Sequence, residues 1–208
     1  MSLMLLLDSP QTREHAAKVV ADGGIIAFRT DTFYGLGADP LNAKAIESIR
    51  KLKGRDEAKP ILILVADETE IDRFVSNISP LFRAIAARHW PGPLTLIGHA
   101  RSRLPEELTA GTRTIGVRLP DDQKVRALVR ACGGAVTATS ANASGHPPAR
   151  TAKEVEDYFS GRVELIIDGG ETTAKQASTV LDLSGTKPLL VREGAITLVE
   201  LKQTVKDL

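Results

Sequence analysis

The chain alternates short apolar runs, rich in β-branched residues, with segments of helical period, and this alternation restricts the possible folds more than any other feature of the sequence. GIIAF, ILILV, LTLIG, TIGVRLP and AVTATS have the length and composition of buried strands. Ser9 and Asn42 are residue types that begin helices, and the Gly133-Gly134 pair is typical of a helix end. Interleaved strands and helices predict an α/β fold in which helices flank a twisted, mixed sheet.

Both ends of the chain add further strands to this pattern. MLLL near the start predicts a first strand, and VELIID, STVLDL and PLLV predict three late strands with little helix between them. We expect antiparallel pairs among those late strands, and we expect RTDTFYGLGADP to form a long loop. No repeat, low-complexity segment or linker interrupts the 208 residues, which predicts a single domain over residues 1–208.

The composition argues against several functional classes. No run of about 18 apolar residues is present, so a membrane span is not expected. The single cysteine, Cys132, excludes an internal disulfide and favours a reducing, cytoplasmic location. Lysine and arginine total 27 against 26 acidic residues. This near balance argues against a protein held on nucleic acid by its overall field, so any anion site must be local.

Cations precede or interrupt several of the predicted strands. Lys53, Arg55 and Lys59 lie just before ILILV, while Arg118 and Arg192 lie in or directly after other apolar runs. A cationic cluster at a helix end is often only a solvated end favoured by the helix dipole, so the first three do not by themselves indicate a site. Charges inside apolar strands need partners, and the two arginines are therefore stronger candidates.

Polar loops follow two of the strands, at the sheet edge where α/β proteins bind ligands. TATSANASG offers hydroxyls and an amide, and Thr30, Thr32 and Tyr34 offer similar groups, although both segments are also typical of ordinary turns. The sequence contains no G-x-x-x-x-G-K-[ST] motif and no complete dinucleotide fingerprint, and its four histidines lack metal-ligand spacing. A nucleotide, if bound, must be bound by another kind of site.

Eight sequence blocks occur in order between Gly24 and Gly194: FRTDTFYGLGAD, KLKGR, WPGPLT, LTAGTRTIGVRLP, TSANASGHP, IIDGG, STVLDL and VREG. In this order they resemble the YrdC/TsaC family of threonylcarbamoyl-AMP synthases, with a motif-bearing core at about residues 24–194. The resemblance implies a concave, basic cavity in the α/β fold, where ATP and L-threonine bind side by side.

The resemblance also implies roles for individual residues. Lys53 and Arg55 match a K-x-R motif and are expected to be catalytic. The residues implied for ATP binding are Lys53, Arg55, Thr109, Ser140, Asn142 and Arg192. Those implied for L-threonine binding are Thr32, Arg118 and Ser178. No metal ligand from the protein is implied, and Mg²⁺ is expected to arrive with ATP.

The implied activity joins L-threonine, bicarbonate or carbon dioxide, and ATP into L-threonylcarbamoyladenylate, with release of pyrophosphate, for threonylcarbamoyladenosine modification of tRNA. The resemblance further implies tRNA-modifying partner proteins and a weak RNA contact. The sequence departs from the family at Arg29, where the first block is expected to carry a proline, and in ILILV, which lacks a histidine that some relatives carry. Longer members add a C-terminal domain, for which we expect this chain to be too short.

Two other functions remain compatible with the same fold. A paralogue could carry out other carbamoyl transfer or act on another amino acid, and the residues around Thr32 and Ser178 would decide this. An RNA-binding or ribosome-maturation factor could hold a phosphate backbone in the cavity. The near-neutral charge weakens that hypothesis, because backbone binding normally requires a broad basic face.

Overall fold

The computed structural model describes residues 4–54, 59–159 and 161–204. In chain order its elements are β1 (Met4–Leu7), α1 (Pro10–Ala21), β2 (Ile26–Phe28), β3 (Gly35–Gly37), α2 (Ala43–Lys53), β4 (Leu62–Val65), a 3₁₀ helix (Glu68–Arg73), β5 (Val75–Ser76), α3 (Pro80–His89), β6 (Leu94–Ala100), α4 (Glu106–Thr109), β7 (Thr114–Arg118), α5 (Gln123–Ala131), β8 (Ala135–Ser140), α6 (Ala152–Phe159), β9 (Leu165–Asp168), β10 (Thr179–Asp182), β11 (Leu189–Arg192) and α7 (Leu198–Lys202). Within the described ranges, eleven strands form one sheet in the order β1-β9-β2-β3-β8-β4-β7-β6-β10-β11, and β5 pairs with β6. This mixed α/β architecture confirms the predicted fold class.

The helix boundaries follow the capping residues in the sequence. Ser9 accepts a hydrogen bond from the backbone of Thr12 at the start of α1, and Asn42 accepts one from Ala45 at the start of α2. Gly54, at φ +57°, ends α2 in the left-handed conformation that glycine adopts at low cost. Local sequence therefore determines where these helices begin and end.

Two predictions about the strands were wrong. Residues Gly35–Gly37 lie inside the predicted long loop, yet they form β3, which pairs antiparallel with β2 and β8. A Cβ atom at Gly37 would lie 2.7 Å from the Phe28 ring, so glycine permits the close packing of this strand. β9 does not pair with the other late strands but lies parallel between β1 and β2, where its Leu165–Ile167 side chains are buried on both faces. The expected antiparallel pairing is confirmed for β10 and β11.

The two faces of the sheet are covered differently. One face packs on α2, α3 and α6, with Ile63 of β4 and Val117 of β7 among its buried side chains. The opposite face packs on α1 and α5, and Leu64 of β4 points to that side. The second hydrophobic cluster draws its strand residues from β2, β4, β8 and β9. The surface of this face over β7, β6 and β10 is thus left for other contacts.

None of the helices in the described part of the chain combines the length and the apolar composition that a bilayer crossing requires.

Candidate functional site

A cavity of about 480 Å³ opens on the part of the sheet that α1 and α5 leave uncovered. Alternate residues of a strand face the same side of a sheet, and most of the strand residues that line the cavity follow this rule. The floor residues are Leu62 and Leu64 of β4, Thr95 and Ile97 of β6, Gly116 and Arg118 of β7, Ala138 and Ser140 of β8, Val180 of β10 and Arg192 of β11. The sheet therefore brings together residues that are far apart in the sequence.

Gly116 keeps the floor of the cavity open. A Cβ atom at this position would lie 3.2 Å from the methyl group of Thr95 and 3.3 Å from Cβ of Leu62. Both distances are shorter than an ordinary van der Waals contact, so even alanine would displace its neighbours. The missing side chain thus provides space next to Thr95.

Arg118 is buried at one end of the cavity; its guanidinium group is hydrogen-bonded through Nη1 and Nε, whereas Nη2 has an ion-pair contact but no hydrogen bond within the described residues. Its Nη2 atom lies 2.6 Å from Oδ2 of Asp31, its Nη1 donates to Oγ1 of Thr32 at 3.1 Å, and its Nε donates to the carbonyl oxygen of Gly92 at 3.1 Å. A buried charge is tolerated when it is paired and hydrogen-bonded in this way. Within the described ranges, Oδ1 of Asp31 is buried without a hydrogen-bond partner.

The loop of residues 29–34, which carries Asp31 and Thr32, is held by further contacts. Thr30 donates through Oγ1 to the carbonyl oxygen of Phe33 at 2.7 Å and accepts from the backbone N–H of Thr32. Arg29 forms an ion pair of 2.5 Å with Asp122, whose other oxygen caps α5. Arg29 therefore ties the loop to the segment that follows Arg118.

Tyr34 anchors the end of the same loop. Its hydroxyl donates to the carbonyl oxygen of Gly170 at 2.8 Å and accepts from the N–H of Gly169 at 3.2 Å. Burial, with a further contribution from the charge of Asp168, raises the pKa of the Tyr34 hydroxyl to about 12. The group is thus neutral and can act as a donor throughout the physiological pH range.

Arg192 lies at the other end of the cavity and contacts only neutral oxygens in the described part of the chain. It donates to the carbonyl oxygen of Ser178 through Nη2 at 2.8 Å and to the Ser178 hydroxyl at 3.2 Å. Burial, and secondarily the charge of Arg118, lowers the pKa of the Arg192 guanidinium group below its usual range. A guanidinium group keeps its positive charge at neutral pH even when it is buried.

Lys53 joins the end of α2 to the loop that follows β8. Its side chain is buried, and its ammonium group donates to the carbonyl oxygen of Ser140, to the Ser140 hydroxyl at 3.3 Å and to the amide oxygen of Asn142 at 3.4 Å. Asn142 in turn donates to the carbonyl oxygen of His146. Lys53 and Asn142 therefore support Ser140 from outside the set of residues that line the cavity.

The structure brings together most of the site residues predicted from the sequence. Five of them line the cavity, namely Thr32, Arg118, Ser140, Ser178 and Arg192. Thr109, the last residue of α4, is not among the lining residues. Its hydroxyl donates to the carbonyl oxygen of Glu106, the first residue of the same helix. Arg55 lies outside the described residues.

Several other polar residues line the cavity without a role assigned from the sequence, Lys59 and Thr95 among them. Lys59 was noticed only as part of a cationic cluster, and Thr95 sits in the WPGPLT block, where threonine is an ordinary strand residue. A hydroxyl on the floor side of an otherwise apolar strand is the signal that could have identified Thr95. Among the described lining residues, the charged side chains are Lys59, Arg118 and Arg192, all of them cationic. In the ranges that the structure describes, no cluster of three carboxylate, histidine or cysteine side chains could hold a metal ion.

Comparisons with known proteins agree with this architecture. The family model described as Sua5_yciO_yrdC, telomere recombination, matches residues 18–194. A threonylcarbamoyl-AMP synthase of Thiobacillus denitrificans is 42% identical over 167 residues, which cover 80% of this chain and 88% of the relative. A protein of the same name from Pyrococcus abyssi is 36% identical over 93% of this chain, and the match spans only 57% of that relative's length.

A solved structure extends these sequence matches to three dimensions. The P. abyssi Sua5 protein complexed with L-threonine superimposes with a TM-score of 0.94 at 33% identity, covering all of this chain and 62% of that one. The fold, the extent of the family match and the identity to these relatives lead to the same assignment. The chain belongs to the Sua5/YciO/YrdC family.

Proposed function

We propose that this chain synthesises L-threonylcarbamoyladenylate from L-threonine, bicarbonate or carbon dioxide, and ATP, with release of pyrophosphate, for threonylcarbamoyladenosine modification of tRNA. The observation that carries the proposal is the single cavity in which Thr32, Arg118, Ser140, Ser178 and Arg192 meet. Its volume of about 480 Å³ lies within the range of small-molecule sites. The names of the relatives and the L-threonine complex support the same activity.

The charges at the two ends of the cavity indicate where each substrate would bind. Arg118 would bind the carboxylate of L-threonine, because a guanidinium group fixed by Asp31 presents its donors in a defined direction. Thr32 and Ser178 would complete the amino-acid site. ATP would lie toward Ser140 and Arg192, with Lys59 at the cavity wall. The three cationic side chains that line the cavity, Lys59, Arg118 and Arg192, support the proposal that the cavity is basic.

The remaining residues proposed for ATP are Lys53, Arg55, Thr109 and Asn142. Lys53 and Asn142 would act through Ser140, which both help to position. Mg²⁺ would enter with ATP, bound to the phosphates, since the described residues include no cluster suited to a metal ion. The chemistry requires no protein nucleophile, because the amine of threonine forms a carbamate and a carbamate oxygen then displaces pyrophosphate from the α-phosphorus. Positioning and charge stabilisation by these residues would supply the catalysis.

We also propose a cytoplasmic location and transfer of the adenylate to tRNA-modifying partner proteins, with at most a weak RNA contact. A mixed anhydride of this kind is labile, which favours direct delivery to the enzyme that consumes it. The RNA-binding alternative would require retained RNA affinity in the absence of ATP chemistry, and the near-neutral charge of the chain does not favour it.

The test is incubation with ATP, bicarbonate and labelled threonine, followed by detection of both the labelled adenylate and pyrophosphate. We expect pyrophosphate release that depends on threonine and bicarbonate and falls sharply with other amino acids. Lys53→Ala and Arg55→Ala should each lower that rate by about 100-fold. Lys51→Ala is the matched control, because Lys51 is exposed on the same helix and pairs only with Glu47 among the described carboxylates. Unchanged activity in both test variants would contradict the assignment.

A further inference from the structure

Thr95 and Ser178 form a buried pair of hydroxyl groups with one hydrogen left over. Their oxygens are 3.0 Å apart, and both side chains line the cavity. Each hydroxyl carries one hydrogen, and the bond between them uses one of the two. Arg192 is a donor to Ser178, so it cannot accept the second hydrogen. Apart from these two bonds, neither hydroxyl has a hydrogen-bond partner within the described ranges, and the pair can therefore donate to a ligand in the cavity.

The register of the sheet places this pair between the two arginines of the cavity. Val180 is paired with Thr95 on one side and with Arg192 on the other. Thr95 also lies one residue beyond the Leu96–Val117 pair and thus beside Arg118 on β7. Neighbouring strands are about 4.8 Å apart, so Thr95 lies in one row with Arg118 and Arg192.

The space above this row is kept free by Gly116. A side chain there would collide with the methyl group of Thr95. The two side chains are themselves almost fully buried, since Thr95 is 1% exposed and Ser178 is 4% exposed. A small oxyanion in this position would receive one hydroxyl donor and two flanking positive charges with little competition from water.

We infer that the Thr95–Ser178 hydroxyl pair, between Arg118 and Arg192, is the binding subsite for the one-carbon oxyanion of the reaction, either bicarbonate or the carbamate formed from it. The inference rests on the proposed function. In that reaction the one-carbon unit is bonded on one side to the threonine nitrogen and on the other, through oxygen, to the α-phosphorus. It must therefore lie between the amino-acid end at Arg118 and the nucleotide end at Arg192.

The hydroxyl pair takes no covalent part in the chemistry. The threonine amine and bicarbonate form a nitrogen–carbon bond with loss of water. A carbamate oxygen then forms a bond to the α-phosphorus as the bond from that phosphorus to pyrophosphate breaks. The hydroxyl hydrogen is donated to a carboxylate oxygen of the one-carbon unit throughout. A phosphate oxygen of ATP is the other acceptor with the same chemistry, and the test must separate the two.

The decisive variant is Thr95→Val, which removes the hydroxyl and keeps the branched shape of the side chain. Pyrophosphate release is measured in carbon-dioxide-depleted buffer against bicarbonate, threonine and ATP in turn. Ser178 accepts from Arg192 and donates to Thr95, which leaves Thr95 as the donor to the one-carbon unit. We therefore expect the KM for bicarbonate to rise about ten-fold or more in Thr95→Val, because a hydrogen bond to a charged group is lost. The KM values for threonine and ATP should stay within about two-fold, since the contacts to those substrates remain. Thr95→Ser, which retains a hydroxyl, should stay close to the parent.

Thr172→Val is the matched control. Thr172 is also a buried threonine, its hydroxyl has no hydrogen-bond partner among the described residues, and it does not line the cavity. Thr172→Val should leave the KM values for bicarbonate, threonine and ATP unchanged. A second measurement uses the parent protein alone: formate, a one-carbon carboxylate, should inhibit competitively against bicarbonate and not against ATP. This keeps the inference testable even if Thr95→Val fails to fold.

The outcomes separate the inference from the proposed function. If the parent protein releases no pyrophosphate that depends on threonine and bicarbonate, the proposed function fails and the subsite fails with it. If the parent is active but Thr95→Val leaves the KM for bicarbonate unchanged, or raises the KM for ATP instead, only the subsite is overturned. Competition of formate with ATP would overturn it in the same way.

Discussion

The two arginines at the ends of the cavity have opposite surroundings. Arg118 is paired with Asp31 and donates to Thr32 and to a backbone carbonyl, so that its charge is balanced within the protein. Arg192 contacts only the neutral oxygens of Ser178 in the described part of the chain, and its pKa is lowered by burial and by the nearby charge of Arg118. The charge of Arg118 is balanced by the protein before any ligand binds, whereas the charge of Arg192 is left for a ligand to balance.

This difference follows from the positions of the residues in the fold. Arg118 ends an interior strand next to the loop of residues 29–34, where Arg29 and Asp122 add a second ion pair. Arg192 ends β11, the last strand of the sheet, where fewer elements surround it. A balanced charge suits the fixed recognition of a small substrate. An unbalanced charge near the nucleotide end suits stabilisation of negative charge that develops on the phosphates.

Arg118→Met should give the largest effect, because it leaves the Asp31 carboxylate buried without its partner. We expect the free energy of unfolding to fall by about 3–5 kcal/mol and threonine-dependent activity to be lost. The measurements are chemical denaturation and pyrophosphate release.

The double variant Arg118→Met/Asp31→Asn sharpens this prediction. Asparagine removes the unpaired charge and retains an oxygen that can accept from the N–H of Asp121. Most of the lost stability should return, whereas activity should not. If Arg118→Met is as stable as the parent, the charge of Arg118 does not stabilise the Asp31 carboxylate in the folded protein.

Arg192→Met should give the reverse pattern. Removal of a desolvated charge without an acidic partner among the described residues should change the free energy of unfolding by no more than about 1 kcal/mol. The rate of pyrophosphate release should fall by about 10²–10³-fold, as expected for the loss of one preorganised charge at a reaction centre.

Arg83→Met is a suitable control for this variant, since Arg83 is exposed on α3 and its ion pair among the described residues is a long one of 3.4 Å with Asp72. It should leave both stability and activity unchanged. An Arg192→Met protein that unfolds as easily as Arg118→Met would remove the contrast between the two ends of the cavity.

The sequence predicts the Arg118 end of the cavity better than the Arg192 end. Arginines within apolar runs indicate an anion site directly, because such charges need partners, and the capping residues Asn42 and Ser9 predict the starts of two helices that cover other parts of the sheet. The row that contains Thr95 and Arg192 could not be predicted, because it depends on the register of β6, β10 and β11, which come together only in the sheet. GLG in β3 was missed for a related reason, since glycine has little intrinsic strand preference and is placed there by close packing on Phe28.

Tyr34→Phe should give the smallest effect on activity, because it loosens the loop beside Arg118 without altering a charge. Removal of the hydroxyl leaves the N–H of Gly169 and the carbonyl oxygen of Gly170 without this partner, at a cost of about 1–3 kcal/mol in the free energy of unfolding.

The pH dependence of stability tests the same hydroxyl, because the pKa of Tyr34 is about 12 in the folded protein, against 10.0 for an unperturbed tyrosine. Between pH 10 and pH 12 the folded state retains a proton that the unfolded state has lost, so the free energy of unfolding of the parent should fall as the pH rises above 10. The slope from Tyr34 should approach about 1.4 kcal/mol per pH unit and should be absent in Tyr34→Phe. Burial also raises the pKa of the Cys132 thiol to about 12, so both proteins are best compared in a Cys132→Ala background. Equal pH slopes in the two proteins would mean that the tyrosine hydroxyl does not hold the loop, and that the ion pairs alone fix the end of the cavity at Arg118.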